Sequence, residues 1–208
     1  MSGYFITLEG GEGAGKSTQV KRLAAALTAK GIDVITTREP GGSPGAEEIR
    51  ALLVNGAPGR WDALTETLLI YAARADHVKR VIGPALLAGQ WVISDRFADS
   101  SFAYQGAGRG LARETIRRID SVVLDDFKPH LTLMLDLDVE TGLKRAGARG
   151  AAESRFENFD RDFHERLRQA FLDIARRNPD RCHVIDAAAD PDAVAAAIWS
   201  AVARRFAL

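Results

Sequence analysis

The sequence predicts an α/β fold with three layers, in which a five-stranded parallel sheet is flanked by helices. Short apolar runs alternate with segments of helical periodicity along the 208 residues. Several of these runs, such as Trp91-Val92-Ile93, are apolar at every position, which is typical of strands buried on both faces of a parallel sheet. Strands that alternate with helices indicate a doubly wound topology with right-handed crossovers.

Five segments carry the strand pattern, at residues 4–8, 33–37, 91–94, 131–137 and 182–185. Helices are predicted at residues 16–30, 63–87, 113–123, 139–146, 159–176 and from 190 onward. Gly31 follows the first helix as a C-terminal cap, and Gly83-Pro84 is expected to bend or break the second. Asp190-Pro191 opens the last helix with an N-cap and a proline in the first turn.

Three segments, at residues 37–45, 95–110 and 145–157, lack a core pattern, and we interpret them as loops. The first two directly follow predicted strands, and ligands of open parallel sheets bind beyond the carboxyl ends of the strands. We therefore expect a ligand site at this edge. We also expect one domain over residues 1–208, with a lid at about 145–157.

Composition limits the classes of partner. The chain has 28 basic and 28 acidic residues, so it lacks the net positive field typical of nucleic-acid-binding proteins. Its one cysteine, Cys182, excludes an intramolecular disulfide and lies in an apolar run, where we expect it to be buried and inert. Because we find neither a signal-peptide pattern nor an apolar run of membrane-spanning length, we expect a cytoplasmic protein without membrane or nucleic-acid partners.

The strongest motif is Gly10-Gly11-Glu12-Gly13-Ala14-Gly15-Lys16-Ser17, which matches G-x-x-x-x-G-K-[ST] in full. It lies between a predicted strand and a predicted helix, and this context separates a phosphate-binding loop from a chance glycine-rich turn. Its glycines allow backbone N–H groups to approach phosphate oxygens, and the helix N-terminus attracts the same anion. We expect Lys16 to reach the terminal phosphates and Ser17 to bind Mg²⁺.

A second loop begins at Arg38 and continues as Glu39-Pro40-Gly41-Gly42. The planar guanidinium of an arginine at a strand end suits bidentate phosphate binding. A solvated arginine on a surface turn explains these residues equally well. The Glu39–Pro40 bond is a candidate for the cis form, because X–Pro bonds tolerate it.

A third loop begins with Asp95-Arg96, after an apolar strand. An acidic residue that ends such a strand can hold Mg²⁺, and the adjacent arginine offers a second phosphate contact. A purely structural ion pair is the alternative. Asp136 and Asp138 form a rival pair of metal-binding candidates, and we favour Asp95 because Arg96 and a polar segment follow it.

A cluster of basic residues near the end of the 139–146 helix and a single arginine, Arg74, have open interpretations. Lys144, Arg145, Arg149 and Arg155 flank a Gly/Ala-rich stretch, which favours a lid that brings positive charge to phosphates over a solvated helix end. Arg74 lies on a mostly apolar helix face, where its partner is either a carboxylate or a substrate carbonyl. The four histidines are interpreted as structural or exposed.

Taken in order, these motifs resemble those of bacterial thymidylate kinases over nearly the whole chain. The resemblance rests on residues 8–18, Thr37-Arg38-Glu39-Pro40-Gly41-Gly42, Tyr71-Ala72-Ala73-Arg74, Asp95-Arg96-Phe97, Ala103-Tyr104-Gln105-Gly106 and Arg155-Phe156-Glu157. It implies a P-loop kinase fold and a homodimer that transfers the γ-phosphoryl group of ATP to dTMP with Mg²⁺, for dTTP synthesis. The implied ATP-binding residues are Gly10, Gly11, Glu12, Gly13, Ala14, Gly15, Lys16, Ser17 and Thr18.

The resemblance also implies roles at the acceptor. Glu12 would interact with the sugar 3′-hydroxyl, Arg38 and Arg96 with the dTMP phosphate, and Asp95 with Mg²⁺ and its water. Thymine would be read by Arg74 and Ser101, while Tyr104 would exclude a ribose 2′-hydroxyl. The implied dTMP-binding set is Glu12, Arg38, Ile70, Arg74, Arg96, Ser101, Tyr104 and Gln105. The implied catalytic set is Lys16, Arg38, Asp95, Arg96, Arg149 and Arg155, and the metal ligands are Ser17 and Asp95.

Two departures from the family pattern stand out. Ile70 occupies the place of a phenylalanine that stacks on thymine in many relatives, and the spacing from Arg149 to Arg155 is one residue longer. The loop also has Ala14-Gly15 before Lys16, which is similar to members that carry their catalytic arginines in the lid.

Other functions compatible with the loop are a kinase for another small acceptor, such as a different nucleoside monophosphate or shikimate, and a P-loop switch or assembly ATPase. The chain has no Asn-Lys-x-Asp guanine motif, which argues against a GTPase switch. Its glycines do not fit G-x-G-x-x-G, which argues against a dinucleotide-binding dehydrogenase.

Overall fold

A computed structural model describes residues 3–57, 59–148 and 159–208. The described chain contains one sheet of five parallel strands, which confirms the predicted α/β class. The strands are β1 (Phe5–Glu9), β2 (Val34–Arg38), β3 (Trp91–Asp95), β4 (Leu131–Asp136) and β5 (Cys182–Asp186). Their spatial order is β2-β3-β1-β4-β5, so the chain crosses from β1 to the far edge and returns to the centre.

Nine α-helices are described, together with two π-helical segments at Val78–Ile82 and Phe102–Gly108. The helices are α1 (Lys16–Ala29), α2 (Pro44–Val54), α3 (Ala63–His77), α4 (Gly83–Leu87), α5 (Ala98–Ser101), α6 (Arg113–Leu124), α7 (Val139–Gly147), α8 (Arg161–Arg177) and α9 (Pro191–Phe206). No helix in the described ranges is long and apolar enough to cross a membrane.

Several helices begin at a side-chain cap. Asp138 accepts a hydrogen bond from the backbone N–H of Thr141 at the start of α7, and Asp160 caps α8 in the same way. Ser43 caps α2, which then begins with Pro44. Because a cap satisfies a backbone N–H that lacks an intrahelical acceptor, Asp160 shifts the start of α8 to Arg161, two residues after the predicted one.

The predicted loops at 37–45 and 95–110 were partly wrong, because the structure contains helical residues there. The first runs into α2, whose start falls at Pro44 and which buries Ala46 and Leu53 in its packing against α3. The second contains α5 and the π-helical segment Phe102–Gly108. The π-helical segment buries polar Gln105 beside apolar Ala103, so the apolar periodicity that reveals an α-helix is missing.

The predicted bend at Gly83-Pro84 takes the form of a π-helical turn. The segment Val78–Ile82 is wound more widely, and the Gly83 N–H bonds the carbonyl of Val78 instead of the residue four back. Proline lacks an N–H and its ring collides with the carbonyl four residues earlier. One extra residue in the preceding turn accommodates Pro84 and lets the helical path continue into α4.

The sheet brings the predicted loops to one edge. Along this edge, Arg38 is in register with Asp95, and Asp95 with Leu8. The strand β1 is fully buried and packs into a core with α1 and α9. The carboxyl ends of β1, β2 and β3 therefore share one edge, as predicted, and a rigid layer holds the loops that follow them.

Candidate active site

A cleft of about 420 Å³ opens at the carboxyl ends of β1, β2 and β3. Its lining joins the phosphate-binding loop to the loops after β2 and β3. The lining residues are Glu12, Gly13, Gly15, Lys16, Ser17, Arg38, Glu39, Pro40, Arg50, Val54, Ile70, Arg74, Asp95, Arg96, Phe97, Ser100, Ser101, Tyr104 and Gln105. The cleft lining thus includes every predicted acceptor residue and part of the glycine-rich motif, while Gly10, Gly11, Ala14 and Thr18 of the predicted ATP-binding set do not line it.

The phosphate-binding loop uses glycine where its backbone is left-handed. Gly13 and Gly15 have φ of 70° and 86°, values that side-chain-bearing residues rarely adopt. Lys16 donates to the carbonyls of Gly10 at 3.1 Å and Gly11 at 2.8 Å, so the loop encloses its own ammonium group. Burial, together with the nearby Arg96, lowers the pKa of Lys16 to about 8.

Glu12, inside the loop, connects to the other side of the cleft. Its carboxylate accepts a hydrogen bond from the Tyr104 hydroxyl at 2.5 Å and lies 3.1 Å from the Arg96 guanidinium. Burial opposes ionisation of Glu12, but Arg96, Lys16 and the Tyr104 hydroxyl outweigh it and lower the pKa of Glu12 to about 2. Glu12 is therefore an ionised acceptor at neutral pH.

Arg96 lies at the centre of these contacts. Its backbone is left-handed, with φ of 74°, and its N–H donates to the carbonyl of Leu8 at 2.9 Å. Its guanidinium donates to the carbonyl of Gly10 at 2.9 Å and stacks over the Tyr104 ring. Burial opposes the charge of Arg96, but Tyr104 and Glu12 outweigh this effect and raise its pKa above the usual value.

Asp95 and Ser17 form the candidate metal-binding pair. The Ser17 hydroxyl donates to the Asp95 carboxylate at 2.6 Å at the cleft wall. The rival carboxylates have other partners, because Asp136 forms a two-pronged ion pair with Arg168 at 2.7 and 2.9 Å and Asp138 caps α7. Of the three carboxylates, Asp95 is therefore the one that contacts the phosphate-binding loop.

Arg38 lines the cleft, but its guanidinium has a protein partner. It bonds both carboxylate oxygens of Glu47, at 3.0 and 3.2 Å, while remaining half-exposed. Glu47 also accepts the N–H of Gly42 at 2.9 Å, and the Glu39–Pro40 bond is cis, in agreement with the sequence analysis. A phosphate bound to Arg38 would share or displace the Glu47 carboxylate.

Arg74 is fully buried, and of the two partners that the sequence left open the structure shows a carboxylate. Its Nε donates to the Glu39 carboxylate at 2.7 Å, and a terminal nitrogen donates to the Ser101 hydroxyl at 3.1 Å. The second Glu39 oxygen lies 3.1 Å from His77. Burial works against the charge of Arg74, but Glu39 and Tyr71 prevail and raise its pKa. Arg74 thus faces the cleft as a fixed cation.

The remaining predicted acceptor residues form the inner wall. Ile70 is nearly buried in α3 and lines the cleft. The Gln105 amide donates to Glu66 at 2.8 Å, and its carbonyl oxygen is buried with no hydrogen-bond partner among the described residues. Arg109 lies 2.8 Å from the other Glu66 oxygen. The inner wall thus combines the aliphatic side chain of Ile70 with the Gln105 amide, which its hydrogen bond to Glu66 holds in place.

The sequence analysis missed residues that line or support the cleft. Ser100 and Arg50 line it although no motif marked them, and Phe97 lines it although its motif gave it no role. Glu9 is completely buried and accepts the Phe97 N–H at 2.8 Å and the Ser100 hydroxyl at 2.6 Å. Its position directly before the glycine-rich loop was an available signal, since an acid at a buried strand end needs partners.

The lid prediction falls largely outside the described residues, since Arg149 and Arg155 lie there. Arg145 is described, and it donates to the carbonyl of Ala187 at 3.0 Å. Cys182 is buried as expected, and burial raises the pKa of its thiol to about 12. Among the histidines, His77 is buried in a hydrogen-bonded position and His183 is exposed, as expected.

Comparison with known proteins agrees with this geometry. The family model described as thymidylate kinase matches residues 8–198. The chain is 60% identical over 206 residues to the thymidylate kinase of Caulobacter vibrioides, covering 99% of each chain, and 53% identical over 207 residues to that of Jannaschia sp., covering 100% and 99%. A crystal structure of thymidylate kinase from Ehrlichia chaffeensis has a TM-score of 0.79 at 35% identity, covering 97% of this chain and 99% of the other. The chain therefore belongs to the thymidylate kinase family.

Proposed function

We propose that this protein transfers the γ-phosphoryl group of ATP to dTMP and releases dTDP and ADP. One observation carries the proposal: Lys16 and Ser17 of the triphosphate-binding motif line the same cleft as Arg38, Arg74 and Arg96. Relatives that carry the name thymidylate kinase match nearly the whole chain. A donor site and an acceptor site that share one cleft fit phosphoryl transfer between two nucleotides.

ATP would bind to residues 10–18, where backbone N–H groups and the N-terminus of α1 favour anionic oxygens. Lys16, held by the carbonyls of Gly10 and Gly11, would exchange these contacts for the terminal phosphates. The Ser17 hydroxyl and the Asp95 carboxylate are hard oxygen donors at 2.6 Å from each other. They suit Mg²⁺, which binds one or two protein oxygens together with substrate phosphates.

Bound Mg²⁺ would add positive charge beside the phosphates, and the residues of the chain supply positioning and the rest of the neutralisation. The phosphate of dTMP is already anionic, so transfer requires alignment and charge balance more than a general base. Arg96 is suited to hold it, because four fixed contacts orient its guanidinium. We propose Arg38 as a second contact, and Arg149 and Arg155 as lid arginines that stabilise the transferred group.

The rest of dTMP would contact the inner wall. Glu12 is ionised at neutral pH and would accept a hydrogen bond from the sugar 3′-hydroxyl. Tyr104, held by that same carboxylate, would lie against the sugar and crowd a ribose 2′-hydroxyl. Arg74 and Ser101 would bond the polar edge of thymine, Gln105 would add its amide, and Ile70 would pack on the ring.

We further propose a cytoplasmic homodimer. Support comes from Leu52 on α2 and from Leu64 and Leu68 on α3, which are 40%, 43% and 52% exposed. Leu64 and Leu68 are one turn apart on α3, and α2 and α3 pack on each other. Large apolar side chains grouped on a surface favour burial against a second protein.

The test measures ADP release in a coupled assay with dTMP, dUMP, dCMP, dGMP and shikimate as acceptors. We expect rapid, Mg²⁺-dependent ADP formation with dTMP, slower formation with the others, and little without an acceptor. A switch or assembly ATPase would instead hydrolyse ATP at a rate that no acceptor changes. Absence of stimulation by dTMP would overturn the proposal, and faster turnover of another acceptor would reassign the substrate.

A further inference from the structure

Two glycines from distant parts of the chain touch through their backbones beneath the phosphate-binding loop. A Cβ placed on Gly13 would overlap the carbonyl oxygen of Gly142 in α7. A Cβ placed on Gly142 would lie 2.5 Å from the carbonyl oxygen of Glu12. A side chain at either position would therefore push the Glu12–Gly13 peptide away from α7.

The α7 side of this contact is firmly tied to the sheet. Helix α7 begins three residues after β4, and the carboxylate and carbonyl of Asp138 accept the N–H groups of Thr141 and Gly142 at 2.9 and 3.0 Å. Gly142 is buried. Further along, a Cβ on Gly10 would overlap the carbonyl of Leu135. The β4–α7 unit thus supports the loop from below at two points.

The loop side of the contact connects to the acceptor half of the cleft. The peptide that rests on Gly142 belongs to Glu12, whose carboxylate lies 3.1 Å from Arg96 and 2.5 Å from the Tyr104 hydroxyl. A displaced Glu12 backbone would stretch both bonds or carry the side chain away. The distance between the phosphate-binding loop and α7 therefore affects the position of the Glu12 carboxylate.

We propose that Gly142 is a positioning residue of the active site. Because it has no side chain, the Glu12–Gly13 peptide can lie directly against α7. This close contact places the backbone N–H groups of the loop for phosphate binding and the Glu12 carboxylate beside Arg96 and Tyr104. Gly142 is not part of the glycine-rich motif, and it lies about 130 residues from the loop in sequence. The effect of this inference on turnover rests on the proposed function, whereas its effect on nucleotide binding does not.

The test compares Gly142→Ala with Gly59→Ala. Gly59 lies between α2 and α3, outside the cleft lining, and a Cβ on it would meet no atom within 4 Å, so this variant adds the same methyl group without a backbone overlap. We expect Gly142→Ala to weaken binding of a non-hydrolysable ATP analogue and to lower kcat/KM about tenfold or more, because small misplacements of positioning groups have effects of this size. The thermal midpoint of Gly142→Ala should stay within a few degrees of the parent, and Gly59→Ala should match the parent's binding and turnover within about twofold.

A second measurement shows whether Gly142 acts through Glu12. In a Glu12→Gln background, Gly142→Ala should raise the KM for dTMP by a smaller factor than in the parent, because the linked contact is already weakened. Equal factors in both backgrounds, unchanged analogue binding, or a Gly142→Ala protein that fails to fold while Gly59→Ala folds would each overturn the proposal. If the parent binds the analogue but does not phosphorylate dTMP, the proposed function fails while the binding comparison still decides the role of Gly142.

Discussion

At the residue scale, Arg96 shows how one side chain can serve both halves of the cleft. Its left-handed backbone turns the chain directly after β3, and its guanidinium reaches the carbonyl of Gly10 and the carboxylate of Glu12. A non-glycine residue with positive φ is strained and persists where surrounding contacts hold it. The Arg96 N–H bond to Leu8 and the guanidinium contacts provide that support.

The lowered pKa of Lys16 predicts that the protein takes up protons when it binds ATP. Its pKa of about 8 results from burial, aided by Arg96, and bound phosphates would restore the preference for the charged ammonium. Binding of a non-hydrolysable ATP analogue at pH 8 should therefore take up about half a proton per site. Calorimetric titration in two buffers with different ionisation enthalpies measures this uptake. In Lys16→Arg, which stays charged, the uptake should vanish, and an unchanged value there would assign it to another group.

Arg38 leads to a prediction about the acceptor. Because it lines the cleft at the end of β2, Arg38→Ala should raise the KM for dTMP about tenfold or more, while the KM for ATP changes less than about twofold. Initial rates with each substrate varied in turn measure the two constants. Arg176→Ala removes an exposed arginine that pairs with Asp173 outside the cleft lining and should leave both constants unchanged. Equal effects of Arg38→Ala on both substrates would contradict the assignment.

The position of a residue at the cleft was predictable where a local sequence motif contains that residue. Lys16 and Ser17 follow from loop spacing, and Asp95 and Arg96 follow from their place at the end of an apolar strand. The Glu47 partner of Arg38 and the contact of Gly142 with Glu12 were not predictable. Both depend on segments that meet only in the fold, and a glycine inside a short helix has no distinctive pattern.

At the element scale, Glu9 joins β1 to the segment that carries the inner wall of the cleft. It accepts the N–H of Phe97, the residue that precedes α5, and the hydroxyl of Ser100 within it. The π-helical segment that holds Tyr104 and Gln105 continues directly from α5. Glu9 therefore fixes these elements relative to the strand that leads into the phosphate-binding loop.

The burial of Glu9 predicts a pH dependence of the free energy of unfolding. Burial, aided by Asp99, raises the pKa of Glu9 from 4.5 to about 7, so the folded state binds this proton more tightly than the unfolded state. The resulting stabilisation is complete below about pH 4.5 and is lost as the pH rises through 7. Relative to Glu9→Gln, the parent should thus lose about 2 kcal/mol of unfolding free energy between pH 5 and pH 8.

Urea unfolding at several pH values and one fixed protein concentration measures this difference. Glu48→Gln, which changes an exposed carboxyl group on α2, is the matched control and should track the parent at every pH. A constant difference between the parent and Glu9→Gln across the range would show that Glu9 stays ionised in the folded protein.

Strands and helices were predictable where their buried residues give the sequence a regular apolar pattern. All five strands were confirmed. The three inner strands β1, β3 and β4 are buried at nearly every position, whereas the edge strands β2 and β5 are only partly buried. Helix α2 and the segment 98–108 were missed for different reasons. Helix α2 buries only two of its 11 residues, so its apolar period is weak. The segment 98–108 buries polar Ser101 and Gln105 at the cleft, which hides the helix period.

At the scale of the whole molecule, the strand order assembles the cleft from distant segments. Glu12 bonds Tyr104 across 92 residues, and Arg74 bonds Glu39 across 35. Strand β1 lies between β3 and β4, which brings the phosphate-binding loop against both the Asp95 loop and α7. The sequence predicted the shared edge but not this order, because no local pattern specifies which strands are neighbours.

The exposed leucines Leu52, Leu64 and Leu68 predict where the two subunits of the proposed dimer meet. Leu68→Glu should convert a dimer to a monomer at micromolar concentration, because a charge at a buried apolar contact is unfavourable by several kcal/mol. Light scattering coupled to size-exclusion chromatography measures the mass. Leu87→Glu changes a leucine that is 88% exposed on α4 and should leave the dimer intact. A parent that is monomeric, or a Leu68→Glu protein of unchanged mass, would contradict the proposed interface.

The buried thiol of Cys182 makes this protein suited to site-directed labelling. It is the one cysteine of the chain, and its pKa of about 12 leaves almost no thiolate at neutral pH. Maleimide dyes or nitroxide spin labels would therefore react at an introduced surface cysteine without prior removal of the native one. Pairs of such labels, one on α7 and one beyond Arg155, would report distances across the segment 149–158 while nucleotides bind.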